Sequence, residues 1–327
     1  MKIRNIACNI FALIFFCGFF AYCADGNQRG AEPLDDPLED IPAIGDVVEG
    51  KGTLVWSDEF DGDTLDTGKW NYDYGNGSQY GQAGWGNNEK EWYMEGNVSV
   101  ADGKLVIEAR YDTSGSQAGG VNFPYSSGKI STKGTKNHTG SRTYPAKQFL
   151  GVSTGYAEAR IKAPRGRGFW PAFWMLGADV DGLSGYTGVG WPRSGEIDIF
   201  EMNGANMTQH GQAIHYATAG GRSSKGSGRY AVPNMADEFH VYGVAWNNSR
   251  LQFYFDGEAK GGPINFPLPE AGAVSAAFYN EVPWVIIINL AIGGNYVGGA
   301  EPAPSVFTSG PLADRCLTVD WVRVYEQ

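Results

Sequence analysis

From Leu54 onward, apolar and polar residues alternate in short runs separated by Gly, Asn, Asp and Pro. Leu105, Ile107 and Ala109 alternate with Lys104, Val106 and Glu108, and Leu251, Phe253 and Phe255 alternate with Gln252 and Tyr254 before an Asp256-Gly257 turn. Ala157, Ala159 and Ile161 stand against Tyr156, Glu158, Arg160 and Lys162 in the same way. A period of two is the pattern of a half-buried strand. Val285 to Ile292 is a continuous apolar run, which suits a strand covered on both faces. No stretch shows a capped 3.6-residue period. Many strands, 47 glycines and no helix signal predict an all-β fold, an antiparallel sandwich or barrel. Residues 112–148 and 177–195 read as loops longer than ordinary connections, and long loops in compact domains carry function.

One predicted strand is unlike the rest. Gly195-Glu-Ile-Asp-Ile-Phe-Glu-Met202 places Glu196, Asp198 and Glu201 among apolar residues. Glu196 and Asp198 share a face, whereas Glu201 is out of phase unless a β-bulge at Ile199-Phe200 absorbs one residue. The plain alternative, a strand with its acidic side in water, lacks the interspersed Lys or Thr that normally relieves stacked like charges. Two carboxylates flanking a glycosidic bond are the machinery of most glycoside hydrolases, with one as nucleophile and the other as a proton donor of raised pKa. Glu196 and Glu201 form the natural pair, and Asp198 tunes both through charge and hydrogen bonding. A divalent-metal site is the competing use of such a trio, but no histidine lies in the motif. Spacing alone does not choose retention or inversion, because residues four strand steps apart are about 13 Å apart at the backbone.

Ten tryptophans add a second clue, since sugar rings stack their C–H faces on indoles. Trp170 and Trp174 share a strand face and suit a cleft lining, and Trp191 lies just before the acid strand. Trp56, Trp70, Trp246, Trp284 and Trp321 sit in alternating strands and read as core. His215 follows the acid strand at hairpin distance, where a cleft role and a satisfied structural role are equally open. His138, His210 and His240 have no supporting context.

The N-terminus changes the picture of where the chain works. Lys2 and Arg4, an apolar stretch from Ile10 to Phe20, and Ala21-Tyr22-Cys23 have the layout of an export signal over residues 1–22, with lipidation at Cys23 favoured over plain secretion. The apolar stretch is short for a membrane span. Residues 24–50 hold eight acidic side chains against Arg29 alone, with Pro33, Pro37 and Pro42. Residues 23–50 thus read as a self-repelling tether, and 51–327 as a single catalytic domain. Removing residues 1–22 takes away two bases and no acid, so the formal net charge of −11 becomes −13. Such a balance argues against nucleic acid and polyanionic substrates. Only Cys23 and Cys316 remain after processing, too few for a disulfide framework, and Cys316 reads as a small buried hydrophobe.

The motif around the acids, preceded by Gly168-Phe-Trp-Pro-Ala-Phe-Trp-Met-Leu-Gly177 and Gly190-Trp-Pro-Arg-Ser, resembles the laminarinase-type branch of glycoside hydrolase family 16. Similarity runs from Leu54-Val-Trp-Ser-Asp-Glu-Phe to Val319-Asp-Trp-Val-Arg-Val-Tyr and includes Trp85-Gly-Asn-Asn-Glu, Asn97-Val-Ser-Val and Asn289-Leu-Ala-Ile-Gly-Gly. The resemblance implies a concave β-jelly roll and retaining cleavage of β-1,3 or mixed β-1,3/1,4 glucans by a monomer that needs no cofactor for chemistry. It makes Glu196 the nucleophile, Glu201 the acid/base and Asp198 the helper. Sugar contacts fall to Trp170, Trp174, Trp191, His215, Asn88 and Lys129, the last where the family often has arginine. Asn-Tyr-Val after Gly294 replaces the more usual Asn-Trp-Pro. A structural calcium maps to the Asp320 side chain with backbone oxygens of Glu59 and Gly103. Two rival readings are a non-catalytic glycan-binding sandwich, against which the acid trio speaks, and a family 16 galactanase, whose often sulfated substrates call for basic cleft residues.

Overall fold

The computed structural model describes residues 47–111, 123–147, 154–185, 188–232, 234–268 and 282–327. The segments expected to be signal and tether, with Cys23, lie almost wholly outside the described residues, although Val47–Val48 already pairs with Gly52–Asp58. Two large antiparallel sheets carry the domain. The nine-stranded sheet runs Val47–Val48, Gly52–Asp58, Cys316–Glu326, Gly155–Lys162, His240–Asn247, Arg250–Phe255 and Glu258–Asn265, with Val98–Ala101 and Lys104–Glu108 joined through Cys316–Glu326. The seven-stranded sheet runs Gly221–Ala231, Gln209–Thr218, Glu196–Met202, Phe169–Gly177, Trp284–Ile292, Lys129–Ser131 and Asn71–Tyr72. The all-β expectation is therefore borne out. One five-residue α-helix, Pro304–Thr308, stands among the described residues.

The alternation read from sequence sets which side chains meet between the sheets. Leu105, Ile107, Ala157, Ala159, Ile161, Leu251 and Phe253 join one core cluster with Phe169, Phe173, Met175, Ile197, Ile199 and Phe200. Truncating one buried phenylalanine in such a core costs about 3–5 kcal/mol. Trp284–Ile292 is buried along its whole length, with even-numbered residues in the main core and Val285 and Ile287 packed on Leu176 and Ala178 opposite. The five tryptophans read as core are all buried.

One expectation changes. The loop read over 112–148 contains the strands Tyr125–Ser127, Lys129–Ser131, Thr135–Lys136 and Thr143–Tyr144, while residues 112–122 and 148 lie outside the described residues. Strands of two or three residues are too short to show a period, so Gly, Ser, Thr and Lys composition masked them. Cys316 is buried, as expected.

Candidate active site

The acid strand Glu196–Met202 is bulged where its sequence demanded. Against Phe169–Gly177, Leu176 pairs with Glu196, Trp174 with Asp198, Phe173 with Phe200 and Ala172 with Glu201, so Ile199 is the extra residue. On the other side Glu196, Asp198 and Glu201 face His215, Ala213 and Gly211. Both partner strands step by two residues from acid to acid. The three carboxylates therefore occupy successive positions on one face, while Ile199 and Phe200 both enter the core. They line a cleft of about 390 Å³ together with Trp170, Trp174 and Trp191.

Each outer glutamate is oriented by an indole. Trp191 Nε1 donates to Glu196 Oε2 at 2.9 Å, and Trp170 Nε1 donates to Glu201 Oε1 at 3.0 Å. Trp170 is itself stacked on Tyr296, with centroids 4.8 Å apart and planes at 17°. Gly211 makes room for this stack, because a Cβ there would come within 3.0 Å of the Tyr296 hydroxyl. His215 Nε2 lies 3.2 Å from Asp198 Oδ2 and 3.7 Å from Glu196 Oε1, which places this histidine in the site rather than in the core. The same three groups lie within 4.8 Å of one another, so the histidine that the metal reading lacked is present. They are the very atoms proposed for hydrolysis, and an acidic cluster alone does not define a metal centre.

Burial opposes charge on all three acids. Glu201 is pushed up to about 8, first by desolvation and then by the neighbouring Asp198, with the Trp170 hydrogen bond acting the other way. Desolvation lifts Asp198 to about 8. Glu196 is raised well above the usual carboxylate range by desolvation and Asp198, against the opposing pull of His215 and Trp191. A proton kept on Glu201 at neutral pH is what a donor to a leaving oxygen needs, while the pull of His215 and Trp191 favours the ionised form of Glu196.

The cleft wall behind Trp174 is tied by a polar chain that sequence reading missed. Trp174 Nε1 donates to Asn289 Oδ1 at 2.8 Å, Asn289 Nδ2 donates to the Tyr93 hydroxyl at 3.0 Å, and that hydroxyl donates to Glu89 Oε2 at 3.3 Å. Asn289 was the one polar interruption in an apolar run, and that was its signal. Tyr296, Trp85 and Glu89 were likewise not assigned site roles. Lys129 lines the cleft 3.8 Å above the centre of Trp85. Asn88 is exposed and bonds Asn295 at 2.9 Å, and its neighbour Asn87 lines the cleft instead.

The residues expected to hold calcium do not fit it. Asp320 is the bulged residue between the pairs Arg160–Trp321 and Ile161–Val319. Its Oδ2 accepts from Arg160 Nη1 at 2.5 Å, and its Oδ1 lies 3.7 Å from Lys104 Nζ. Arg323 holds the Glu59 carboxylate through two bonds of 3.1 and 3.0 Å. Gly103 has φ +67° in the turn before Lys104. A carboxylate between two attached cations lacks the uncompensated charge that draws a hard divalent ion.

Residues 54–327 match the family profile described as the GH16 domain of β-porphyranases A–D. The chain belongs to glycoside hydrolase family 16. It is 35% identical over 324 residues to the glucan endo-1,3-beta-glucosidase A1 of Niallia circulans, covering 94% of this chain but 43% of that protein. It is 33% identical over 281 residues to a beta-glucanase of Rhodothermus marinus, covering 83% of this chain and 84% of the relative. The solved endo-beta-1,3-glucanase of Pyrococcus furiosus is similar with a TM-score of 0.68 and 33% identity, over 87% of this chain and 98% of that one. This chain thus spans less than half the length of the Niallia circulans relative. The family 16 resemblance and its jelly-roll implication hold.

Proposed function

We propose that this family 16 chain is an endo-acting β-glucan hydrolase that cleaves β-1,3 or mixed β-1,3/1,4 linkages with retention. The observation that carries this reading is the bulge at Ile199, which aligns Glu196, Asp198 and Glu201 in one cleft between two indole donors. The names of the relatives from Niallia circulans and Pyrococcus furiosus support the choice of glucan. Glu201, protonated at neutral pH, gives its proton to the leaving oxygen. Glu196 attacks the anomeric carbon and forms the glycosyl-enzyme bond, its charge supported by the Trp191 N–H and by His215. Water, deprotonated by Glu201, then releases the sugar with its configuration restored. Asp198 stands between the two and sets how strongly each holds its proton.

The test is product stereochemistry joined to substitution. The first-formed reducing end is the β-anomer by time-resolved NMR, and Glu196→Gln and Glu201→Gln each lose turnover on laminarin while oligosaccharide binding persists. Initial release of the α-anomer, or near-normal turnover in Glu196→Gln, refutes the assignment. A galactan-cleaving reading has two observations behind it, the porphyranase description of the matching profile and 27% identity over 278 residues to a keratan-sulfate endo-1,4-beta-galactosidase of Sphingobacterium multivorum. Product analysis on a galactan beside a glucan separates the two. From the N-terminal layout we also infer export and anchoring through a lipid on Cys23.

A further inference from the structure

The walls of the cleft stand on one side of the acids. Beyond the acid strand itself, its lining comes from Phe169–Gly177, Trp284–Ile292, Lys129–Ser131 and the segments around them, and no residue of Gln209–Thr218 or Gly221–Ala231 takes part. A glycan that passes the acids must therefore continue over Gln209–Thr218, the next strand of the sheet. That strand offers little to hold it there. Gly211 stands opposite Glu201 and Ala213 opposite Asp198, so neither position presents a polar side chain.

A polar group reaches this bare stretch from elsewhere in the chain. Tyr296 stacks on Trp170, on one neighbour of the acid strand, and its hydroxyl lies 3.0 Å from where a Cβ of Gly211 would be, on the other neighbour. The hydroxyl has no hydrogen-bond partner among the described residues and is not sealed from solvent. Desolvation, and after it the Glu201 carboxylate, raise the pKa of the phenol, so it keeps an O–H to donate. Its backbone is pinned as well. Asn203, the residue after the acid strand, donates through Nδ2 to the Tyr296 carbonyl at 2.9 Å, and the Asn295 N–H donates to the carbonyl of cleft-lining Asn87 at 2.8 Å. A partly buried aromatic held by ring and backbone, with only its polar tip unbonded, is preorganised to receive a ligand group.

We propose that Tyr296 contacts the first sugar on the leaving-group side of the scissile bond, its hydroxyl hydrogen-bonding a hydroxyl of that sugar above Gly211. The half of the substrate that stays bonded to Glu196 has to be held in place through the covalent stage, and the walled cavity does this. The departing half then lies over Gln209–Thr218, where the phenol is the polar group on offer. The Tyr296 ring has a separate part, because the indole that it stacks on donates to Glu201 Oε1. Removing the hydroxyl alone therefore leaves the proton donor in place. The inference rests on the reading of Glu196 as nucleophile and Glu201 as acid/base.

The test compares the full chain with its Tyr296→Phe variant on two substrates. One is laminarihexaose, whose leaving group is a sugar. The other is an aryl β-laminaribioside with a 2-chloro-4-nitrophenol leaving group, which departs without a proton and brings no sugar hydroxyl to the phenol. In Tyr296→Phe, kcat/KM on laminarihexaose is expected to fall about three- to tenfold, the worth of one neutral hydrogen bond, and to stay unchanged on the aryl glycoside. Unchanged turnover of laminarihexaose overturns the proposal. An equal loss on both substrates overturns it too, since a structural effect or a contact on the retained half of the substrate would act on both. Turnover of the aryl glycoside by the unsubstituted protein judges the hydrolase reading separately. If the unsubstituted protein turns over neither substrate, its affinity for hexasaccharides of laminarin and of agarose carries the test: the same three- to tenfold loss is expected in Tyr296→Phe, and equal affinity or no binding of either overturns the proposal.

Discussion

His210 gives the domain a sensitivity to acid whose size follows from its surroundings. It is fully buried on the strand next to the acids, among Phe200, Tyr230, Tyr242 and Phe255. Desolvation in this aromatic cage lowers its pKa from 6.5 to about 4, with the nearby Gln212 side chain acting the other way. The folded state thus favours the neutral ring, while the unfolded chain takes a proton near pH 6.5. Stability from this group is intact above pH 6.5 and is lost progressively as pH falls from there towards 4. That full difference corresponds to about 3 kcal/mol, of which about 2 kcal/mol is already lost at pH 5. For a domain of this size that is about 4 °C in Tm. Glu196, Asp198 and Glu201, with raised pKa values, work in the opposite sense and gain stability as pH falls. The assay therefore compares the unsubstituted protein with His210→Leu, which fills the cage without titrating. The fall in Tm between pH 7 and pH 5 should be about 4 °C smaller in the variant, whatever constant offset the substitution brings. Parallel Tm curves across this range would refute a neutral His210.

Three further outcomes follow from the site and the N-terminus. Because Glu201 sits at about 8, kcat/KM on laminarin should fall above that pH, and Asp198→Asn should move the alkaline limb down by removing a charge that holds the proton on; an unmoved limb counts against the coupling. Asn289→Leu strands the Trp174 N–H and frees the Tyr93 hydroxyl, so it should cost about 1–3 kcal/mol in a denaturant melt and raise KM more than it lowers kcat, and unchanged melting with unchanged KM rejects the role of this chain of bonds. Cys23→Ala should release the protein from the membrane fraction or block its processing, and soluble unsubstituted protein whose N-terminus begins beyond Cys23 would exclude anchoring.

The strands were legible wherever one face is buried and the other is wet, because alternation over five or more residues records that asymmetry directly. Lys104–Glu108 and Arg250–Phe255 are such cases. The site was legible for a different reason. Three acids in a strand flanked by core residues have no cheap explanation, and parity alone required an extra residue at Ile199-Phe200. What stayed hidden depends on contacts between distant segments. Lys129–Ser131 lies in the sheet through pairing with Ile287–Asn289 and Asn71–Tyr72, and three residues carry no period of their own. Asp320 offered the opposite lesson: its motif was recognisable, yet the cations that occupy its carboxylate come from Arg160 on a neighbouring strand and from Lys104.

The bulge couples the chemistry of the cleft to the stability of the core. An extra residue on one strand is tolerated only if both bulged side chains find room, and here Ile199 and Phe200 both turn inward. Phe200 packs 4.3 Å from Tyr242 on the other sheet, and Tyr242 in turn contacts His210 at 5.1 Å. Slipping the strand back into regular register would expel one of these apolar side chains and turn Glu201 away from Asp198. The core thus penalises every register except the one that aligns the acids. Gln212 strengthens the lock from the adjoining strand, its amide donating to the Ile199 carbonyl at 3.0 Å at the point where ladder pairing is interrupted. Carboxylates that repel one another are held together because the opposite face of the same strand has nowhere else to go.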